Sequence, residues 1–297
     1  MLKFKKLFLT CNNLLEMKAP NFIEKEKILV TLEYFKSRIP EKIDFGLILG
    51  SFLEKCTEFL QIKSKITLDI SDVPHMKSPS VPGHGKTIVF GKIYNKNILI
   101  FCGRLHLYEG YNINDVVYPV KILSGLSADN LIITNSAGGL NPRFAIDDIM
   151  IIKDHLNLMF KNPFFGYKYS TDYDYFVDMS FPYDRRLSDT AIKAARDIGL
   201  RIKKGIYAGV MGPVLETKAE SWLLYKLGAD AVGMSTIPEV TMANFLNIKV
   251  LGISHIRNLL SQPIQKNIKF NHKKGSEKEI SIGKIFAELI ENILKKA

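Results

Sequence analysis

Two short apolar runs, each closed by glycine and polar residues, constrain this chain more than any other feature. Asn97-Ile-Leu-Ile-Phe-Cys102 leads into Gly103-Arg104-Leu105-His106-Leu107-Tyr108-Glu109-Gly110, and Asn130-Leu-Ile-Ile-Thr134 leads into Asn135-Ser136-Ala137-Gly138-Gly139-Leu140-Asn141-Pro142. Near-continuous apolar runs of this length read as parallel strands covered on both faces. In open α/β sheets, ligands collect at the carboxyl ends of such strands, where backbone amides and short polar side chains converge. Arg104 and His106 stand two residues apart beside a glycine turn, an arrangement that suits a small dianion such as phosphate.

The same pattern recurs along the chain. A helical period over 23–37 is stopped by Pro40. Residues 45–50 form a short buried strand, and Ser51 begins a turn into a helix reaching Leu60. Residues 86–101 read as a hairpin about Tyr94-Asn95-Lys96-Asn97, and 114–126 as a helix with Asn114 at its N-cap. Further strands are expected at 131–134, 149–153, 205–210, 231–233 and 250–254. Helices are expected near 187–198, 217–227, 238–245 and 280–294. This alternation predicts an α/β fold: a single domain, 21–297, whose central mixed, mainly parallel sheet is covered by helices on both faces. Residues 1–20 read as a flexible N-terminal extension. The aromatic-rich stretch 162–184 lacks regular periodicity and is expected to be a functional loop or an interface.

Composition narrows the classes. No apolar tract is long enough to span a bilayer. The formal charge of +11 comes mostly from scattered lysines, which favours a solvated surface over a nucleic-acid-binding stripe. Cys11, Cys56 and Cys102 have neither metal-ligand nor disulfide-framework spacing, which fits a reducing cytoplasm. The lysines and Leu7-Phe8-Leu9-Thr10 imitate a signal peptide only faintly, because Asn12 and Asn13 interrupt the apolar part.

Most candidate site residues carry two readings when taken singly. Ser51 can offer its hydroxyl to an anion or cap a helix. His84, between Gly83 and Gly85, is either close to a ligand or an idle turn residue. Arg104 supplies a permanently charged fork, and His106 can exchange a proton near neutral pH. Tyr108 suits a sugar or simple packing. Glu216 can accept from the N–H edge of a heterocyclic base or answer a helix dipole. Met234 can lie against a sugar or fill the core, and Ser235 can donate to phosphate or cap a helix. Asn258 carries both a donor and an acceptor and can face a purine N7 and O6 edge.

In their order, Val81-Pro-Gly-His84, Gly103–Gly110, Thr134–Pro142 and Ala229-Asp-Ala-Val-Gly-Met-Ser235-Thr-Ile-Pro-Glu239 resemble the trimeric purine nucleoside phosphorylase family, over nearly all of 45–258. The resemblance implies a partly barrel-like sheet and reversible phosphorolysis of purine nucleosides to free base and (deoxy)ribose 1-phosphate. Inorganic phosphate is then a co-substrate, no cofactor or metal is needed, and the chain is expected to be a cytoplasmic homotrimer. It implies phosphate contacts from Ser51, His84, Arg104, His106, Ser136 and Ser235, and ribose contacts from Tyr108 and Met234. The base would be held by Glu216 and Asn258, with Ala137 and Val232 packed round it. His106, Glu216 and Asn258 would be the catalytic side chains.

Asn258, where methylthioadenosine phosphorylases are expected to carry an acid, implies 6-oxopurine selectivity. Departures from the family pattern are Phe52 after Gly50-Ser51, Leu215 in place of an aromatic, and Arg257 in place of a small polar residue, the last pointing towards xanthosine as an alternative. The family's 5′-hydroxyl histidine matches His272 on one alignment and nothing on another. The loop aromatic that reaches a neighbouring subunit is Tyr173, Tyr175 or Phe176. A nucleosidase and a non-catalytic nucleotide- or RNA-binding relative are the competing readings.

Overall fold

The computed structural model describes residues 22–39, 42–81, 84–165, 176–260 and 277–297. Among them the apolar runs assemble into one nine-stranded sheet. β1 (Phe45–Ile48) is buried throughout and lies parallel to β4 (Lys96–Phe101) on one side and β5 (Asn130–Gly139) on the other. β3 (Thr87–Ile93) turns back on β4 as the expected antiparallel hairpin.

β2 (Lys63–Asp69) pairs antiparallel with β3 and closes that end of the sheet. It was not expected. None of its residues is buried, so the apolar alternation that marks a strand is weak, and its lysines suit an edge that must resist further pairing.

The other half of the sheet closes on itself. β5 pairs antiparallel with β8 (Ala231–Gly233), and β8 lies parallel to β7 (Ile202–Gly209). β7 is parallel to β6 (Ile149–Asn157), β6 is antiparallel to β9 (Lys249–Leu259), and β9 returns parallel to β5. This five-strand ring is the barrel-like part of a mixed, mainly parallel sheet.

Two large apolar clusters cover the two faces. α1 (Phe22–Lys36), α3 (Ile113–Gly125) and α6 (Ile237–Phe245) contribute to one, through residues such as Leu32, Val117 and Val240. α2 (Cys56–Phe59), α4 (Arg185–Asp197) and α7 (Glu277–Lys296) contribute to the other, through Cys56, Ala191 and Phe286. α5 (Lys218–Lys226) adds Leu224 to a smaller third cluster. Among the described residues, no helix is long and apolar enough to cross a membrane.

Two expectations need correction. The N-cap of α3 is Asn112, whose side chain accepts from the Asp115 amide, whereas Asn114 lies inside the first turn and accepts from Lys121 Nζ at 3.2 Å. The helix begins where an extended residue first meets the free amides, and that residue is Asn112. The segment after Ser51 is mostly turns, and its helix is limited to Cys56–Phe59. The 1–20 extension, Tyr173, Tyr175 and His272 lie outside the described residues.

Candidate active site

The carboxyl ends of β1, β4, β5, β8 and β9 and the loop after β7 converge on one cavity of about 310 Å³. Ser51, Arg104, His106, Tyr108, Ser136, Ala137, Glu216, Val232, Met234, Ser235 and Asn258 all line it. His84 stands one layer back. Its Nε2 is 2.7 Å from Ser51 Oγ, and its Nδ1 accepts from the Arg104 amide at 3.3 Å. His84 therefore holds Ser51 and the β4 turn together, which is the work of a structural anchor for the cavity wall.

The loop after β1 must pass very close to β5. A Cβ on Gly50 would sit 2.6 Å from the Asn135 Cα and 2.8 Å from the Thr134 carbonyl oxygen, so only glycine fits there. Ser136 Oγ then donates to the Ser51 carbonyl at 3.0 Å. The helix-cap reading of Ser51 fails, because α2 begins only after Lys55.

Arg104 is fully buried and held from several sides. Nη1 donates to Thr236 Oγ1 at 3.0 Å and to Ser235 Oγ at 3.3 Å. Nη2 donates to the carbonyls of Ile48 and Thr134. Burial works against the guanidinium charge and lowers its pKa, and Glu239 opposes that from 3.5 Å. Among the described residues, Arg104 Nε has no hydrogen-bond partner.

Thr236 explains how Ser235 comes to face the cavity. The Ile237 amide donates to the Ser235 carbonyl at 2.9 Å across Thr236, whose φ and ψ are +77° and −51°. This is the rare positive-φ γ-turn, a strained conformation for a β-branched residue. The surroundings enforce it, since the Thr236 hydroxyl accepts from both Arg104 and Asn135 Nδ2. Ser235 is not the helix cap, a position that Thr236 takes without a side-chain capping bond.

His106 is oriented by Glu109, a residue absent from the sequence-based site. Glu109 Oε1 lies 3.1 Å from His106 Nδ1 and accepts from the His106 amide at 2.8 Å. Its Oε2 accepts from the Ser80 amide and hydroxyl at 2.8 and 2.6 Å. With Nδ1 engaged, Nε2 is the ring nitrogen left for a ligand. The ring stacks on Tyr108, centroids 4.7 Å apart and planes 19° apart. Burial opposes the Glu109 charge, but the hydrogen bonds from His106 and Ser80 outweigh it and bring the carboxyl down to about 2. A carboxyl lowered on folding stabilises the fold above its unfolded pKa and loses that contribution as the pH falls. Melting temperature should thus drop as pH is lowered from about 4.5 towards 2, and Glu109→Gln should flatten that acid limb. An unchanged limb in the variant would show that Glu109 is not tied to His106 and Ser80.

Glu216 precedes the N-cap of α5. Thr217 is that cap, and Glu220 completes the capping box. Glu220 therefore answers the helix terminus, and Glu216 faces the cavity, where burial raises its carboxyl above the usual range. Asn258 reaches the cavity through an irregularity in β9. Ala137 pairs with Ile256 but Gly138 pairs with Asn258, so Arg257 is an extra residue, a β-bulge. A bulge re-aims side chains beside a site, and here both Arg257 and Asn258 line the cavity. Regular alternation would have sent one of them away.

Among the described residues, no group of three or more His, Cys, Asp or Glu side chains is placed to hold a metal ion. The cavity lining combines Arg104, His106 and three serine hydroxyls with a tyrosine, a methionine, a carboxyl group and an amide.

Residues 44–292 match the family model described as the phosphorylase superfamily. The chain is 41% identical over 244 residues to purine nucleoside phosphorylase 1 of Bacillus subtilis, covering 81% of this chain and 89% of the relative. Its fold is similar to that of a Schistosoma purine nucleoside phosphorylase solved with hypoxanthine, with a TM-score of 0.79, 29% identity, and coverage of 91% of this chain and 97% of that one. The Schistosoma mansoni enzyme solved with adenosine gives a TM-score of 0.79, 30% identity, and coverage of 91% and 95%. Sequence and fold thus agree on one family, and the chain belongs to the purine nucleoside phosphorylases, pentosyltransferases of the phosphorylase superfamily.

Proposed function

We propose that the cavity carries out reversible phosphorolysis of 6-oxopurine ribo- and deoxyribonucleosides. The observation that carries this reading is a single cavity lined by Ser51, Arg104, His106, Ser136 and Ser235 together with Glu216 and Asn258. Inorganic phosphate is received by the first group, with His84 fixing Ser51 from behind. Tyr108 and Met234 flank the ribose, and Ala137 and Val232 pack against the base. The Schistosoma relatives were solved with both hypoxanthine and adenosine, so the base preference rests on this chain's own side chains.

The chemistry follows from where charge develops. As the glycosidic bond breaks, its electron pair goes to the purine and the ribose becomes oxocarbenium-like. A phosphate oxygen forms the new bond to C1′, and the dianion stabilises the cation as it approaches. Asn258 donates towards N7 of the departing base, and Glu216 accepts from its N–H edge. Such fixed donors act most strongly where charge appears in the transition state.

The test is release of free base from inosine, guanosine, xanthosine and adenosine, each with and without phosphate. Cleavage of inosine and guanosine that requires phosphate is the expected result. Equal rates without phosphate would make the enzyme a nucleosidase, and salt-sensitive RNA binding without turnover would remove the catalytic reading.

A homotrimer is part of the same proposal. Phe160, Phe165, Phe176 and Phe181 are each at least 85% exposed, and exposed aromatics mark a contact surface where they form a contiguous patch. Light scattering on purified protein tests it, and a monomeric mass would exclude it. Buried, free Cys56 and Cys102 are compatible with the reducing cytoplasm included in this reading.

A further inference from the structure

Phe52 and Arg257 both depart from the family pattern, and the structure brings them together. Phe52 follows Ser51 directly and has φ of +66°, a conformation that glycine adopts freely and a bulky aromatic does not. It is nonetheless 8% exposed, so its surroundings hold it there. The Arg257 guanidinium carbon lies 3.5 Å from the centroid of the Phe52 ring. On its other side, Arg257 Nη2 is 3.7 Å from Glu279 Oε1, with side-chain exposures of 20% and 12%.

These three residues come from separate parts of the fold. Arg257 is the bulged residue of β9, and Glu279 lies in the first turn of α7. Phe52 is in the loop after β1, and β5 lies between β1 and β9 in the sheet. The Arg257 side chain therefore crosses the end of β5 to reach the loop that carries Ser51. Phe52 and Arg257 also line the cavity. A planar guanidinium between an aromatic face and a carboxylate is an arrangement that arginine makes and lysine copies poorly.

We infer that Arg257 is a positioning residue whose interactions with Phe52 and Glu279 lock the Ser51 loop in its anion-receiving shape, so that phosphate affinity depends on a residue of the base-side strand. This rests on the assignment of Ser51 to phosphate. It also means that Arg257 does not read the base, in contrast to the xanthosine preference that its position beside Asn258 suggests.

The experiment is steady-state kinetics on the full-length enzyme, varying phosphate and nucleoside separately. Arg257→Thr should raise the KM for phosphate about tenfold, the factor that corresponds to removing one cation–π interaction from a partly buried site. The KM for inosine and the inosine-to-xanthosine ratio should stay within about twofold, since the guanidinium grips the loop and not the base. Arg257→Lys should restore part of the phosphate affinity.

Phe52→Gly relieves the backbone and stays folded if Arg257→Thr does not. It should raise the phosphate KM alike, and the double variant should be no worse than either single one. Ser51→Ala separates the two layers of the argument. If it leaves the phosphate KM unchanged, the site assignment fails. If it raises that KM while Arg257→Thr and Phe52→Gly do not, the positioning role is overturned. A change in inosine-to-xanthosine ratio at constant phosphate KM would overturn it in favour of base reading.

Discussion

Replacing Arg104 with glutamine is expected to lower kcat/KM for phosphorolysis by about a hundredfold to a thousandfold, the range for removing one fixed charge-stabilising donor from an active site. The guanidinium is buried against Ser235 and Thr236, and it brings a permanent positive charge to the cavity wall. Its loss has a second consequence. Glu239 is 1% exposed and sits 3.5 Å from Arg104, so glutamine leaves a buried carboxylate without its counter-charge. Breaking a buried pair from one side costs about 3–5 kcal/mol. Melting temperature should fall in Arg104→Gln and in Glu239→Gln, and recover substantially in the double variant. Activity should not recover with it, because the donor to phosphate is still missing. A double variant that regains both would show that Arg104 serves only the fold. An Arg104→Gln enzyme with parental kcat/KM would remove phosphate from this wall of the cavity.

Asn258→Asp is expected to reverse base preference. The asparagine NH2 can donate to O6 and N7, both of them acceptors in a 6-oxopurine. A carboxylate at that position accepts only, so it repels O6 and welcomes a 6-amino group. Sites built to hydrogen-bond a substrate group reject the mismatched analogue strongly, since buried polar atoms are left without partners. The ratio of kcat/KM for inosine to that for adenosine should drop by at least about a hundredfold. If the ratio does not move, Asn258 does not face the base, and the orientation of the nucleoside in the cavity must be reversed or abandoned.

Particular residues show how far local pattern reaches. The runs ending at Cys102 and Thr134 are strongly apolar on both faces of their strands, and this is a local property that survives without knowledge of neighbours. β2 escaped because none of its residues is buried and only Ile66 and Leu68 mark its inner face. The site residues were legible as types at strand ends, yet each kept an ordinary alternative. For three of them the structure removed that alternative. Ser51 caps no helix, Thr236 rather than Ser235 occupies the cap position of α6, and Glu220 takes the helix terminus that the sequence offered to Glu216.

Glu109 and Glu239 were missed although both stand within the motifs that carry the family resemblance. Glu109, three residues after His106, had a usable signal in that spacing. Glu239 had none, because its partner Arg104 is far away in the chain and only the closure of the sheet brings α6 against the end of β4.

The amino-acid order alone determined the α/β class, the strand ends as the place of chemistry, and the set of side chains suited to an anion and a purine. Those depend on apolar periodicity and on residue type, which are local. Only the tertiary structure decided that the two sets share one cavity, that a bulge at Arg257 turns Asn258 inward, and that buried carboxylates hold Arg104 and His106. Such facts depend on distances between segments far apart in the chain, and strand pairing, not sequence spacing, sets those distances.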